Sequence, residues 1–199
     1  MVKVAIIYYS ATGTTYQLAR AVEEGAKAAG AEVRLRKVHE LAPEEAIASN
    51  QGWAAHRLQT QHVTEASKDD LVWADAFIFG TPTRFGLPSA QLKQFIDTQG
   101  KLWAAGKLAD KIVSSFATTA TAHGGQETTI VALNNVFYHW GAIIVPPGYL
   151  DPIQYQSGNP YGTSHISNNG TVPPGEVQLA AARFQGRRVV EVAARFLRP

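Results

Sequence analysis

Ser10, Thr12, Thr14 and Thr15 crowd one short turn with Ala11 and Gly13 between them. The apolar run Val4-Ala5-Ile6-Ile7-Tyr8-Tyr9 comes before the turn, and a segment of helical period comes after it. This is the pattern of a buried strand, a tight turn and a helix N-terminus. The turn offers four hydroxyls, together with backbone N–H groups at the positive end of a helix dipole. That combination makes a socket for a phosphate. The turn holds no Lys or Arg, so peptide dipoles must supply the positive potential, which suits a bound monophosphate. The nucleotide loop G-x-x-x-x-G-K-[ST] requires a lysine that is absent, and the dinucleotide pattern G-x-G-x-x-G finds only Gly13. A plain strand-to-helix turn with a threonine cap also accounts for these residue types.

Two further segments share this character. Thr81-Pro82-Thr83-Arg84-Phe85-Gly86-Leu87 follows the apolar run Ala76-Phe77-Ile78-Phe79, and Thr118-Thr119-Ala120-Thr121-Ala122-His123-Gly124-Gly125 follows Ile112-Val113-Ser114-Ser115-Phe116. Arg84 is the one fully charged residue in the three segments. In an open parallel sheet, ligands bind beyond the carboxyl ends of the strands where the strand order switches. Small residues and prolines there let backbone approach a flat ligand and pair with its polar edge, as at a flavin.

The elements that position these loops follow from periodicity. A strand is predicted over residues 3–9, then a helix with Leu18, Ala19, Val22, Ala26 and Ala29 on one face, closed by Gly30. Residues 32–38 alternate as a strand exposed on one side does. Residues 43–70 are polar and irregular and predict a short helix within a surface excursion. Strands are predicted over 76–79, 111–116 and 142–145, and 81–88 and 118–125 are predicted as loops. Ser89 caps a helix whose Leu92, Phe95 and Ile96 face a core, and residues 126–139 form another with Ile130, Leu133 and Phe137 inward. Residues 149–175 lack an apolar period and predict a long ordered loop, and 176–197 predict a closing helix. Five strands alternating with helices make a doubly wound α/β domain, a parallel sheet covered on both faces. The whole chain, 1–199, is expected to be one domain.

Composition narrows the function classes. A hydrophobic fraction of 45% argues against disorder, and a net charge of +2 without a basic stripe argues against nucleic acid. Arg187, Arg188, Arg195 and Arg198 are read as the solvated face of the closing helix. Without cysteine there is no disulfide or thiolate chemistry, and no carboxylate pattern beside His56 and His62 suggests a metal. No segment is long enough to span a membrane, so a cytoplasmic protein is the default expectation.

The motifs resemble those of the WrbA family of flavodoxin-like NAD(P)H:quinone oxidoreductases. The resemblance rests on the first strand and turn through Gly13, on Phe79-Gly80-Thr81-Pro82-Thr83-Arg84-Phe85-Gly86, on Leu102-Trp103-Ala104-x-Gly106, on Gly124-Gly125-Gln126-Glu127-Thr128 and on Ile144-Val145-Pro146-x-Gly148-Tyr149. It runs nearly end to end and includes Pro160-Tyr161-Gly162. It implies a sheet of order 2-1-3-4-5 and bound FMN, with NAD(P)H as donor and a quinone as acceptor. Ser10, Ala11, Thr12, Gly13, Thr14 and Thr15 then match the FMN-phosphate loop. Pro82, Thr83, Arg84, Phe85 and Gly86 match the loop against the isoalloxazine. Thr118, Thr119, Ala120, Thr121, Gly124 and Gly125 match the third flavin loop. His139 matches a histidine near the ring, and Trp103 a tryptophan lining its open face; with Phe85 they are the residues implied in catalysis. The family further implies a homotetramer with pockets completed across subunit contacts. Two departures stand out. Thr12 occupies the place of an aromatic that contacts nicotinamide nucleotide, and the third loop is less glycine-rich than the family's.

A ping-pong two-electron exchange in one site is the expected mechanism. The alternative is a flavodoxin-type one-electron carrier, which would use an acidic docking face that this chain lacks.

Overall fold

The computed structural model describes residues 1–197. β1 (Lys3–Tyr8) is buried on both faces, which is why its sequence is an unbroken apolar run. Val4, Ile6 and Tyr8 pack under α1 (Thr14–Ala28) and α9 (Glu176–Phe196). Ala5, Ile7 and Tyr9 join the opposite layer, which contains α4 (Lys68–Trp73), α5 (Ala90–Asp97) and α7 (Gln126–Trp140). β2 (Glu32–Lys37) is the edge strand expected, but its burial does not alternate, because Arg34 and Arg36 on the outer face pair with Asp70 while Val33 and Leu35 pack on the core.

The main path of the sheet is parallel, in the order β2, β1, β3 (Ala76–Arg84), β5 (Ile112–Thr119) and β6 (Ile143–Ile144). Counting only these strands, this is the expected 2-1-3-4-5. Two short strands were not predicted. β4 (Leu87–Pro88) folds back antiparallel on β3, and β7 (Ser164–Ile166) runs parallel to β5.

Several boundaries differ from the expectation. Residues 81–84, predicted as loop, finish β3, where Thr81 and Pro82 pair with Ala117 and Thr118 of β5. A proline is tolerated near a strand end, and β1 has already stopped pairing at Gly80. Thr118 and Thr119 likewise belong to β5. The predicted fifth strand is cut to two residues, because Pro146 and Pro147 have no N–H to extend the ladder. The chain leaves the sheet there, forms α8 (Pro152–Ser157), and returns as β7 beside the far half of β5. Residues 149–175 therefore contain a helix and a strand, both too short to show a period. Asp151 caps α8 by accepting the Ile153 N–H at 3.0 Å, and Pro152 opens the first turn. Residues 43–70 hold two short helices before α4 begins, α2 (Glu44–Ala48) and α3 (Gln51–Gln59). α6 (Gly100–Ala104) precedes β5.

The returning segment is tied down by polar groups. Gln185 of α9 donates to Ser114 Oγ at 2.7 Å and to the Ser115 carbonyl at 2.8 Å, and its Oε1 accepts the Thr163 N–H at 2.9 Å. α1 and α9 cross in near backbone contact. A Cβ on Gly25 would collide with the Arg183 carbonyl, and one on Gly186 with the Val22 carbonyl. Arg187 and Arg188 of α9 bind Asp151 and the Pro146 carbonyl, and Arg195 is exposed; Arg198 lies outside the described residues.

Candidate active site

The three loops open together on the carboxyl edge of the sheet. After β1 the chain turns through Ser10, whose Oγ accepts the Gly13 N–H at 3.1 Å. Gly13 takes φ 98°, in the left-handed region that favours glycine, and so swings α1 into line behind the turn. Among the described residues, the N–H groups of Ala11, Thr12, Thr14 and Thr15 have no acceptor in the chain. These orphan donors sit at the start of a 15-residue helix, where its dipole reinforces them.

Some of the hydroxyls fasten the site's own framework. Thr15 Oγ1 bonds Thr118 Oγ1 at 2.8 Å, joining the first loop to the third. Thr83 Oγ1 bonds Thr129 Oγ1 of α7 at 2.7 Å and accepts the Gly86 N–H at 3.1 Å. Thr119 Oγ1 donates to the Thr121 carbonyl at 2.9 Å. Thr12 and Thr14 also line the cleft, and among the described residues their hydroxyls, like the orphan backbone N–H groups of the turn, make no hydrogen bond within the chain.

The resulting cleft has a volume of about 620 Å³. Ser10, Ala11, Thr12, Thr14, Thr15, Pro82, Thr83, Arg84, Phe85, Thr118, Thr119, Ala120, Thr121 and Gly124 all line it. Gly13, Gly86 and Gly125 lie just behind, Gly86 and Gly125 packed backbone to backbone where the β3–β4 hairpin meets the start of α7. Phe85 stands fully exposed at the hairpin tip. His139 and Trp103 lie elsewhere. α7 starts at the cleft and runs about 22 Å to the opposite edge of the sheet, where Gly141 meets Asp110 ahead of β5. Exposed Trp103 donates its indole N–H to the His139 carbonyl there, at 2.7 Å. Within one chain these two residues do not reach the cleft.

Both excursions supply lining residues that the sequence did not single out. Asn50 and Trp53 come from the first, and Ser167, Asn169 and Gly170 from the second. Ser167 donates through its N–H and Oγ to the Thr119 carbonyl, at 2.7 and 3.0 Å. Asn168 and Asn169 take φ 44° and 57°, and Gly170 bonds back to Ser167, forming a tight left-handed turn against Thr12. Asn-Asn-Gly is a recognisable signal for such a turn.

The electrostatics beside the cleft centre on Glu40. Burial opposes its charge, but the Ala42 N–H, Gln91, Tyr9 and Trp53 all donate to it and hold its carboxyl below the usual range. Burial, followed by the adjacent Glu40 charge, pushes the Tyr9 phenol up, so it remains a neutral donor. His56, buried against Gly13 and Tyr16, is pushed down by desolvation and stays neutral. A second chamber of about 260 Å³ lies beyond Ser10 and Trp53.

Residues 2–152 match the model of the NADPH-dependent FMN reductase family. The chain is 47% identical over 197 residues to a Deinococcus radiodurans protein named NAD(P)H dehydrogenase (quinone), covering 98% of each chain. A Sinorhizobium fredii protein of the same name is 42% identical over 201 residues, again with 98% of each covered. A solved WrbA-like flavodoxin from Agrobacterium tumefaciens superposes with a TM-score of 0.68 at 27% identity, over 98% of this chain and 99% of that one. An archaeal flavodoxin at 15% identity and TM-score 0.64, covering 97% of this chain and 99% of its own, shares the fold. Sequence and fold agree that the chain belongs to the NADPH-dependent FMN reductase family, among the WrbA-type NAD(P)H dehydrogenases (quinone).

Proposed function

We propose that the chain binds FMN along the three-loop cleft and passes two electrons from NAD(P)H to a quinone. The observation that carries this is the row of orphan N–H groups at the mouth of α1, opening into a cleft of flavin size. The donor set fits FMN. A phosphate monoester needs hydrogen-bond donors and a favourable dipole, and Ala11, Thr12, Thr14 and Thr15 offer both. The loops Pro82–Phe85 and Thr118–Gly124, in which Arg84 is the one fully charged residue, suit a flat, weakly polar ring. FMN bound there supplies the capacity to take up and release two electrons. The chain's residues grip the phosphate, hold the loops at fixed spacing through the Thr15–Thr118 and Thr83–Thr129 pairs, and shape the space above the ring. Donor and acceptor share that space, so NAD(P)+ leaves before the quinone enters.

The cleft is completed by a second copy in this reading. Phe85, Leu87, Val131, Tyr138 and Trp103 are exposed apolar residues running from the hairpin along α7 to its far end. Pairing two copies across this stripe with their α7 helices antiparallel would bring Trp103 and His139 of one to the cleft of the other. The 40–47% identical relatives named as quinone dehydrogenases support the enzyme over a one-electron carrier.

FMN titrated into the protein should lose fluorescence, and its visible bands should shift and then bleach on anaerobic addition of NADH. Initial rates with NADH and a benzoquinone both varied should give parallel reciprocal lines. Intersecting lines would reject the shared site, and unaltered FMN spectra would reject the cofactor.

A further inference from the structure

Among the described residues lining the cleft, only Trp53 and Phe85 are aromatic. Phe85 projects into solvent from a hairpin tip at φ 55°. Trp53, brought in by α3, is half-buried and anchored. Its backbone N–H donates to Asn50 Oδ1 at 3.1 Å, and its indole N–H donates to Glu40 Oε2 at 3.1 Å. Glu40 is itself fixed from several directions. It accepts the Tyr9 hydroxyl at 2.9 Å, Gln91 Nε2 at 2.9 Å, and the N–H groups of Leu41 and Ala42 at 2.9 and 3.0 Å. These donors come from the end of β1, from α5 and from the turn after Glu40, so the carboxylate cannot swing away without stranding part-buried polar groups. An indole held at its N–H edge by such a hub keeps its rings on the cleft wall. Trp53 also stands, with Ser10, between the cleft and the adjoining chamber, so it is a partition of the site as well as part of its packing.

We infer that Trp53 packs against the planar ring system bound in the cleft, and that Glu40 is the positioning residue that holds it there. This rests on the flavin reading above. It assigns a role to the first excursion, which becomes part of the site. Either the flavin or the nicotinamide of the donor presents a planar ring, and the test separates them.

FMN and riboflavin are titrated into flavin-free full chains of wild type, Trp53→Phe and Trp53→Ala, followed by flavin fluorescence. NAD+ is titrated into the FMN-loaded proteins by calorimetry. Packing on the flavin predicts that Trp53→Ala weakens FMN and riboflavin by the same factor, about tenfold. Packing on the nicotinamide predicts unchanged flavin binding and NAD+ weakened about tenfold. Trp53→Phe recovers most of the loss in either case. Unchanged binding of all three ligands by Trp53→Ala overturns the inference. So does a loss confined to FMN, which would place the effect at the phosphate. Glu40→Ala should reproduce the Trp53→Ala loss, and the double variant should lose no more than Trp53→Ala alone. Additive losses would remove Glu40 from the positioning role. A wild-type chain that binds neither flavin would overturn the flavin reading, and this inference with it.

Discussion

The carboxylate of Glu40 shows how one residue can serve stability and site geometry together. Its folded-state pKa lies below the ordinary 4.5, so its contribution to stability is complete above that value and is lost as pH falls through the folded pKa. Glu40→Gln should therefore lower the urea midpoint at neutral pH, and the gap from wild type should narrow on the acid side of 4.5. A gap independent of pH would show that the charge is not what the donors recognise. Thr15 makes a second test. Thr15→Val leaves the buried Thr118 hydroxyl without its partner and should cost about 1–2 kcal/mol in denaturant unfolding. It should also weaken FMN binding, because the first and third loops lose their link. The residue types of these loops were legible in the sequence. Whether each hydroxyl faced a ligand or a neighbouring loop was not, since that depends on contacts such as Thr15 to Thr118, 103 positions apart.

At the scale of elements, the crossing of α1 and α9 sets the rear wall of the fold and the aim of the α1 N-terminus. The two helices touch at Gly25 and Gly186, where an added methyl meets backbone that cannot move aside. Gly25→Ala or Gly186→Ala should each destabilise by about 1–3 kcal/mol in urea, despite the better helix propensity of alanine. A stabilised variant would mean that the helices separate readily. Long periodic elements such as α1, α7 and α9 were readable because burial of one face leaves its stamp on the sequence. α8, β4 and β7 were not, as two to six residues carry no period. One short helix was expected in residues 43–70 and two form before α4, and that α3 would reach the cleft was not legible. Its anchor is Trp53 against Glu40, a contact between segments that the polar composition of residues 43–70 does not reveal.

For the whole molecule, the pairing of two copies proposed across the exposed stripe along α7 makes a test of its own. Val131→Asp with Tyr138→Asp places two charges on the stripe far from the phosphate loop. If the proposed pairing holds, sedimentation should show a smaller species that retains FMN binding but loses quinone reduction, because the pairing is what would bring Trp103 and His139 to a neighbouring cleft. An unchanged sedimentation coefficient would direct the interface elsewhere. By itself, the sequence determined the alternation of strands and helices and the three loops on one sheet edge, because each is written in local periodicity or in a contiguous segment, and it carried the strand order only through the family that its motifs resemble. Only the tertiary structure decided that both excursions reach the cleft, that Glu40 locks Trp53 to its wall, and that Trp103 and His139 stand a helix length away. Those facts are distances between segments remote in sequence, and they are settled by how the layers pack.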